Sequence, residues 1–255
     1  MDPKQEAIKE LLIKMADDQL IIGHRHSEWI GLGPILEEDI ALASIAQDKV
    51  GQSYTLFQLL HDQFGTADPD TMGFLRAENE YRCCHLVEYP NGEYDFSLIR
   101  HFLFDHAEYH RFDMLQASTF EPIRGIARKF KSEIKYHILH ADVWVRRLGT
   151  GTEESHQRMQ AALETAFPLA LGIFEPSPYE QVLIEENIFP GEDALRQRWL
   201  ETIQPILEEA SLQMPDPSSV EPAYGGRRGY HTEYLAPLLE EMSWTLRYDP
   251  EAERW

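Results

Sequence analysis

Polar and ionisable residues interrupt the apolar stripes of four long helical segments in this chain. On the second segment, the residues that share one face are Leu42, Ile45, Lys49, Gln52, Leu56 and Leu59. Lys49 and Gln52 are the polar members of that stripe. Asp105 and His137 interrupt the stripes of two later segments, and Glu28 shares a face with apolar residues of the first. A buried charge is costly unless it is paired, so these intrusions predict that the four segments meet in one polar cluster.

Helical bundles that bind two metal ions use residues of this kind in a defined pattern. Two helices each supply a single carboxylate, and two others each supply Glu-x-x-His, so that positions i and i+3 project inward together. Glu28 and Asp105 match the two single carboxylates. The second segment, however, has Lys49 and Gln52 in place of Glu-x-x-His. A lysine ammonium at a ligand position repels a metal cation.

The fifth helical segment also departs from the two-metal pattern. Ile134 stands at the position of the glutamate, while His137 keeps the histidine. Glu133 does not replace the missing ligand, because it lies about 100° around the helix from Ile134. Of the four residues that the two Glu-x-x-His motifs require, this sequence therefore keeps one histidine.

These departures predict a charge-paired polar cluster where a metal centre would otherwise lie. We predict that Lys49 bridges Glu28 and Asp105, and that the chain holds no metal or other cofactor. One alternative is that Lys49 faces solvent or a partner and that the alignment of stripes is accidental. Another is a catalytic di-iron or di-manganese protein with an unusual ligand set, in which His137 and a glutamate at position 108 or 133 join the two carboxylates.

The segments that must position these residues are almost all helical in pattern. Helices are predicted over residues 2–29, 37–63, 70–86, 95–117, 121–148, 153–174, 193–212 and 232–247, the first capped by Asp2 and the third by Asp70. Long helices joined by short turns pack as antiparallel bundles. The prediction is therefore an all-α helical bundle formed by a single domain over residues 1–255.

Composition narrows the functional classes. The formal net charge is −21, and so negative a surface repels nucleic-acid phosphates. Charged residues interrupt every apolar run, so no membrane span is predicted. The start of the chain, MDPKQEAIKE, lacks the basic and apolar regions of a signal peptide. A cytoplasmic location is the resulting expectation.

Two further features could carry chemistry. Cys83 and Cys84 are adjacent, so no structural disulfide is expected. No CxxC motif accompanies them, and a metal or redox role would need further ligands nearby. Arg227 and Arg228 form the one notably basic loop of an acidic chain, and they could hold a phosphate or a partner carboxylate. The alternative for this loop is a flexible surface segment.

Four stretches of the sequence resemble the non-catalytic, PaaC-type subunits of bacterial phenylacetyl-CoA epoxidase. They are GHRHSEWIGLGPILEEDIALASIAQDKVGQ, LVEYPNGEYDFSLIRHFLFD, YHILHADVWVRRLGTGTEES and GRRGYHTEYLAPLLEEM. The resemblance covers nearly the whole chain. It implies a ferritin-like helical bundle within a multicomponent oxygenase, which converts the ring of phenylacetyl-CoA into a 1,2-epoxide in aerobic phenylacetate breakdown.

The same resemblance implies a division of labour between subunits. The di-iron site lies on a related catalytic subunit, which has an Asp-Glu-x-Gly-His pattern where this chain has Asp48 to Gln52 as Asp-Lys-Val-Gly-Gln. This chain would bind and order that subunit, together with further epoxidase and reductase components, and would be inactive alone. The helices that carry His101, His106 and His110 and the loop of Arg227 are the candidate contacts with the partner or with CoA. A helical interaction module unrelated to oxygenation is a further alternative.

Overall fold

A computed structural model describes residues 2–249 of the chain, and these residues form helices and connecting loops without β-strands. The helices are α1 (Pro3–Ser27), α2 (Leu36–Phe64), α3 (Pro69–Phe74), α4 (His85–Glu88), α5 (Tyr94–Leu115), α6 (Glu121–Gly149), α7 (Glu153–Leu171), α8 (Glu180–Glu185), α9 (Glu192–Glu209) and α10 (Leu235–Tyr248). Short 3-10 turns lie at Glu78–Glu80, Gly172–Phe174 and Gly226–Arg228. The predicted all-α class is confirmed, and the architecture is a ferritin-like bundle with extra helices.

Helix α1 begins as the sequence predicts. The Asp2 side chain accepts a hydrogen bond from the Lys4 amide at 3.0 Å, and Pro3 occupies the first turn, where its missing N–H is not needed. At the far end of α2, Gly65 adopts φ +63°, a left-handed conformation that ends helices and that glycine tolerates without strain.

The predicted third helix is wrong in both its start and its length. Asp68, and not Asp70, caps α3, because its carboxylate accepts from the amides of Asp70 and Thr71. The helix ends at Phe74 and does not continue to residue 86. Further along, the backbone amides of residues 82 and 84 donate to the buried carboxylates of Asp17 and Asp18 at 2.7 and 2.8 Å. The amides of residues 82 and 84 therefore donate to α1 and not to carbonyl groups within a helix.

The bundle is built around two helices that are buried on every side. All residues of α1 from 14 to 23 and all residues of α5 from 97 to 108 are buried. Helix α1 packs most extensively against α2, and α5 against α6. Every polar side chain in those two stretches must find its partner inside the protein, because an unpaired buried polar group is costly.

Helices α2 and α6 are outer helices, each with one buried face. The predicted α2 stripe is buried at each of its members, Leu42, Ile45, Lys49, Gln52, Leu56 and Leu59. On α6 the predicted stripe is buried from Ala127 to Ala141, while Trp144 is partly buried. None of the helices formed by residues 2–249 combines the length and apolarity needed to cross a membrane.

Replacing Gly149 by alanine tests the close packing at the end of α6. A Cβ atom at this position would lie 2.3 Å from the carbonyl oxygen of Ala210, so the backbone after α9 would have to move. We expect Gly149→Ala to lower the free energy of unfolding by about 1–3 kcal/mol, as overpacking does elsewhere. Urea denaturation measures this change.

Gly125→Ala on the same helix is the matched control. Among the described residues, no atom other than those of its chain neighbours and of the adjacent backbone of α6 lies within 4 Å of the methyl group it would add. It should be neutral or stabilise α6 by up to about 1 kcal/mol, because alanine is the better helix former. Equal stabilities of the two variants would contradict the tight α6–α9 contact.

Candidate functional site: a polar cluster in the bundle core

The centre of the polar cluster is an ion pair between Lys49 on α2 and Asp105 on α5. Both side chains are fully buried, and the Lys49 ammonium contacts Oδ1 of Asp105. The second carboxylate oxygen of Asp105 lies 2.8 Å from Nδ1 of His101 and 3.7 Å from Nδ1 of His137. The structure therefore contains the predicted contact between Lys49 and Asp105.

These neighbours keep Asp105 ionised in spite of its burial. Burial acts to raise the pKa of its carboxyl group, but Lys49 and the histidines outweigh that effect and hold the pKa well below its usual range. The Lys49 ammonium also lies 5.1 Å from the centroid of the Phe104 ring, close enough for a cation–π contact. The lysine thus supplies the counter-charge for a carboxylate that water cannot reach.

Glu28 does not belong to the cluster, and the predicted bridge from Lys49 to Glu28 is wrong. Helix α1 ends at Ser27, so Glu28 is its C-cap residue, with a side chain that is 38% exposed. Its carboxylate pairs with Arg25 at 2.8 Å and accepts from Asn91 at 3.0 Å. The side of α1 that faces Lys49 carries Gly23, where an added Cβ would lie 3.1 Å from the Cβ of Lys49.

Ile134 and His137, the residues predicted on α6, face the cluster, but their contacts are not those of metal ligands. Ile134 is fully buried and His137 nearly so. Nε2 of His137 lies 3.1 Å from a carboxylate oxygen of Asp48, and this hydrogen bond is the largest of the effects that lower the pKa of Asp48. Gln52 donates from Nε2 to Glu133 at 3.0 Å. Each polar residue of the α2 stripe therefore reaches α5 or α6.

Sequence reasoning missed three histidines of the cluster. The ring of His26 on α1 lies 5.2 Å from the ring of His101 and perpendicular to it, and His101 lies 5.5 Å from His140 on α6. His140 contacts Glu38 at 2.9 Å, and Glu38 also accepts from the Tyr94 hydroxyl at 2.6 Å. His101 lies in the part of α5 that is buried all round, where no single face marks the core.

His26 is the histidine of the cluster whose ring nitrogens both lack a hydrogen-bond partner among the described residues. Its side chain is fully buried. Burial lowers the pKa of its imidazole well below 6.5, and His101, Arg100 and Lys49 reinforce this shift while Asp105 opposes it. The folded protein therefore holds His26 in the neutral form.

The donor set around Asp105 does not fit a two-metal centre. One oxygen of Asp105 is taken by an ammonium group, Ile134 supplies no ligand, and Gln52 is directed to Glu133. Among residues 2–249, the potential metal ligands that converge within 4.8 Å of one another are Cys83, Glu88 and His231, away from this cluster. The geometry accordingly supports no metal-dependent step at Lys49.

The predicted contacts on the basic loop and on α5 require correction. Arg227 is buried, and its guanidinium donates to both carboxylate oxygens of Asp18 at 2.8 and 2.7 Å. Arg227 is therefore an internal ion-pair partner and does not reach CoA or another protein, and the loop is tied to α1. His101 and His106 are buried as well, so they are not surface contacts.

Two of the predicted contact residues remain partly accessible. Arg228 is 58% exposed and lies 2.9 Å from Glu175. His110 is partly buried and contacts the Thr202 hydroxyl at 2.8 Å. Of the predicted pair on the basic loop, Arg228 is the residue that solvent reaches.

Comparison with known proteins places this bundle in a defined class. A family model described as phenylacetic acid catabolic protein matches residues 1–255, and the chain belongs to this family. The chain is also 33% identical over 245 residues to a subunit of the 1,2-phenylacetyl-CoA epoxidase from Escherichia coli (strain K12). That match covers 95% of this chain and 97% of the relative. The resemblance seen in the sequence is thereby confirmed.

Removing the Lys49 ammonium should destabilise the fold strongly. We expect Lys49→Met to lower the free energy of unfolding by roughly 3–5 kcal/mol, because Asp105 is left as a buried charge without its main counter-ion. The double variant Lys49→Met/Asp105→Leu should recover much of this loss, since both charges are gone. Chemical denaturation of the single and double variants gives the coupling energy.

Lys129→Met is the control for this cycle. Lys129 is 66% exposed and lies 3.6 Å from Glu133, and exposed ion pairs contribute about 0–1 kcal/mol. A Lys49→Met variant as stable as Lys129→Met would refute the buried pair.

His26 should contribute a pH dependence to stability. Its folded-state pKa lies below the ordinary 6.5, so the unfolded chain binds a proton that the folded chain does not. The contribution of His26 is full above pH 6.5 and is lost as the pH falls below it, by up to about 1.4 kcal/mol per pH unit. His26→Phe should flatten the decline in unfolding free energy between pH 7 and pH 5. Parallel curves for the variant and the wild type would contradict this assignment.

Proposed function

We propose that this chain is a structural subunit of a multicomponent phenylacetyl-CoA epoxidase that acts in phenylacetate catabolism. In this proposal it binds and orders a related di-iron catalytic subunit, has no di-iron centre itself and is inactive alone. Family membership and the similarity to a protein named as an epoxidase subunit support the assignment to the complex. A protein named as one subunit implies that others exist.

The Lys49–Asp105 pair is the observation that carries the structural role. An ammonium group fixed against Asp105 neutralises the carboxylate that a metal ion would otherwise need. A cation placed beside it would meet the repulsion of Lys49 in a dry core, where charge interactions are strong. Oxygen activation by iron must then take place on another chain, and a related bundle that keeps its ligands is the natural partner.

The exposed apolar side chains of α6 are the proposed contact with that partner. Tyr136, Leu139 and Val143 are 73%, 60% and 51% exposed, and their spacing aligns them along one side of the helix. On α2, Leu36 and Ile40 are 69% and 60% exposed. Exposed apolar residues aligned along one side of a helix are typical of protein interfaces.

Co-expression with the related catalytic subunit tests this function. We expect the two chains to co-elute from a sizing column, with iron in the complex and none bound stoichiometrically to this chain alone. Oxygen consumption with phenylacetyl-CoA and a reductase should need both chains. Two firmly bound irons and oxygen consumption by the isolated chain would instead establish a catalytic bundle with an unusual ligand set.

The contact surface has its own test. Leu139→Glu places a charge among the exposed apolar residues of α6. It should lower the affinity between the two chains at least tenfold, seen as loss of co-elution, without lowering the melting temperature of the isolated chain. Trp244→Glu, on α10, is the control, because Trp244 is exposed to a similar extent, at 69%. Complex formation that survives Leu139→Glu would place the interface elsewhere.

A further inference from the structure

Three potential metal ligands converge at the base of the loop that precedes α10. Sγ of Cys83 lies 3.6 Å from Oε1 of Glu88 and 3.9 Å from Nδ1 of His231. The third side of this triangle, from His231 Nδ1 to Glu88 Oε1, measures 2.8 Å. All three side chains are almost fully buried. Cys83 precedes α4 and Glu88 ends it, while His231 is 143 residues further along the chain.

Neighbouring groups orient the ligand atoms toward one point. Nε2 of His231 lies 3.2 Å from the carbonyl oxygen of Tyr81, to which its N–H donates. The lone pair of Nδ1 is then directed at the site. Oε2 of Glu88 accepts from both the amide and the hydroxyl of Thr232 at 2.7 Å, which leaves Oε1 to face Cys83 and His231. A histidine held by a backbone carbonyl and a carboxylate held by hydrogen bonds are the usual supports of metal ligands.

The contacts of His231 are compatible with two states: an imidazolium that donates to both Tyr81 and Glu88, or a neutral ring with a metal ion between Nδ1 and Oε1. Once Nε2 donates to Tyr81, Nδ1 faces a carboxylate oxygen, and it needs a second proton to avoid lone-pair repulsion. A metal ion between Nδ1 and Oε1 removes this conflict without protonating the ring. Without a cation, burial and the nearby Glu88 carboxylate raise the pKa of the Cys83 thiol well above its usual value.

The ligand types select the class of metal. A thiolate, an imidazole and a carboxylate suit Zn²⁺, whereas Mg²⁺ and Ca²⁺ prefer oxygen ligands alone. The thiolate and carboxylate charges together balance a dication, so the loaded site is neutral and can remain buried. Zinc bonds of about 2.0–2.3 Å in tetrahedral geometry place ligand atoms about 3.3–3.8 Å apart. Two sides of the triangle are near this range, and the histidine–carboxylate side must open by about half an ångström.

We propose that Cys83, Glu88 and His231 bind one Zn²⁺ ion, with a water molecule as the fourth ligand, and that this ion fastens the loop before α10 to α4. The site is separate from the Lys49 cluster and does not depend on the proposed function. Glu88 and His231 are the further potential ligands beside Cys83 that the sequence did not indicate. Tyr230, next to His231, is 73% exposed, so the site lies beneath a single surface loop.

Metal titration of the full-length chain, first stripped with a chelator, tests this proposal. We expect one Zn²⁺ per chain and a rise in melting temperature on binding. Co²⁺ in place of Zn²⁺ should give a thiolate-to-metal charge-transfer band. Cys83→Ala should abolish that band and weaken Zn²⁺ binding at least tenfold, and His231→Gln should weaken binding to a similar degree.

Cys84→Ala provides a matched control, because Cys84 is equally buried but lies outside the ligand group. It should retain the charge-transfer band and the wild-type affinity. Circular dichroism of each metal-free variant separates loss of a ligand from loss of the fold. Absence of stoichiometric binding by the wild-type chain, or equal bands in folded Cys83→Ala and Cys84→Ala, would overturn the assignment.

Discussion

The carboxylate of Asp105 requires a positive charge in a part of the bundle that water does not reach. Both Asp105 and Lys49 are fully buried, so the lysine is the cation that satisfies this requirement. A metal ion in the same place would demand a complete shell of ligands from several helices. A covalently attached ammonium makes no such demand, and Gln52 and Ile134 can therefore occupy positions that would otherwise have to bind metal.

The complete burial of α1 and α5 extends the same constraint along the bundle. Glu192, at the start of α9, contacts Lys14 at 2.5 Å and Arg111 at 2.7 Å. Arg111 also pairs with Glu108, which accepts from Gln19 on α1. Burial opposes ionisation of Glu192, but Arg111 and Lys14 lower the pKa of its carboxyl group to about 2. Such pairs add little net stability over apolar packing, yet they penalise any packing that separates them.

How far the sequence predicts this structure depends on how each helix is buried. Helices α2 and α6 have one buried face, so their periodicity predicts the stripes that contain Lys49 and His137. Helices α1 and α5 have no exposed face over their central residues. Periodicity on α5 therefore indicates Asp105 but does not separate it from other buried residues such as His101. The choice of Glu28 failed because α1 ends at Ser27 and leaves Glu28 as its C-cap residue. His26, in the last turn of α1, was missed because the residue that it faces, His101, lies on α5. Contacts between distant parts of the chain account for the other errors. Helical propensity alone predicts that the third helix continues to residue 86. In the structure, buried carboxylates on α1 accept hydrogen bonds from the backbone amides of residues 82 and 84, so those amides are not used in a helix. Arg227 looks like a surface arginine in the sequence, and its partner Asp18 lies 209 residues away.

The buried charges tie the final part of the described chain to α1 and to α4. Arg227 binds Asp18 on α1, and Glu88 accepts from Thr232, just before α10. Each of these links crosses more than a hundred residues of sequence and ends in a buried group, so moving the loop would expose an unpaired charge. In the proposed function, such links would keep the surface that faces the partner constant. The buried pairs Lys49–Asp105 and Arg227–Asp18 therefore hold the helices and the loop before α10 in one arrangement.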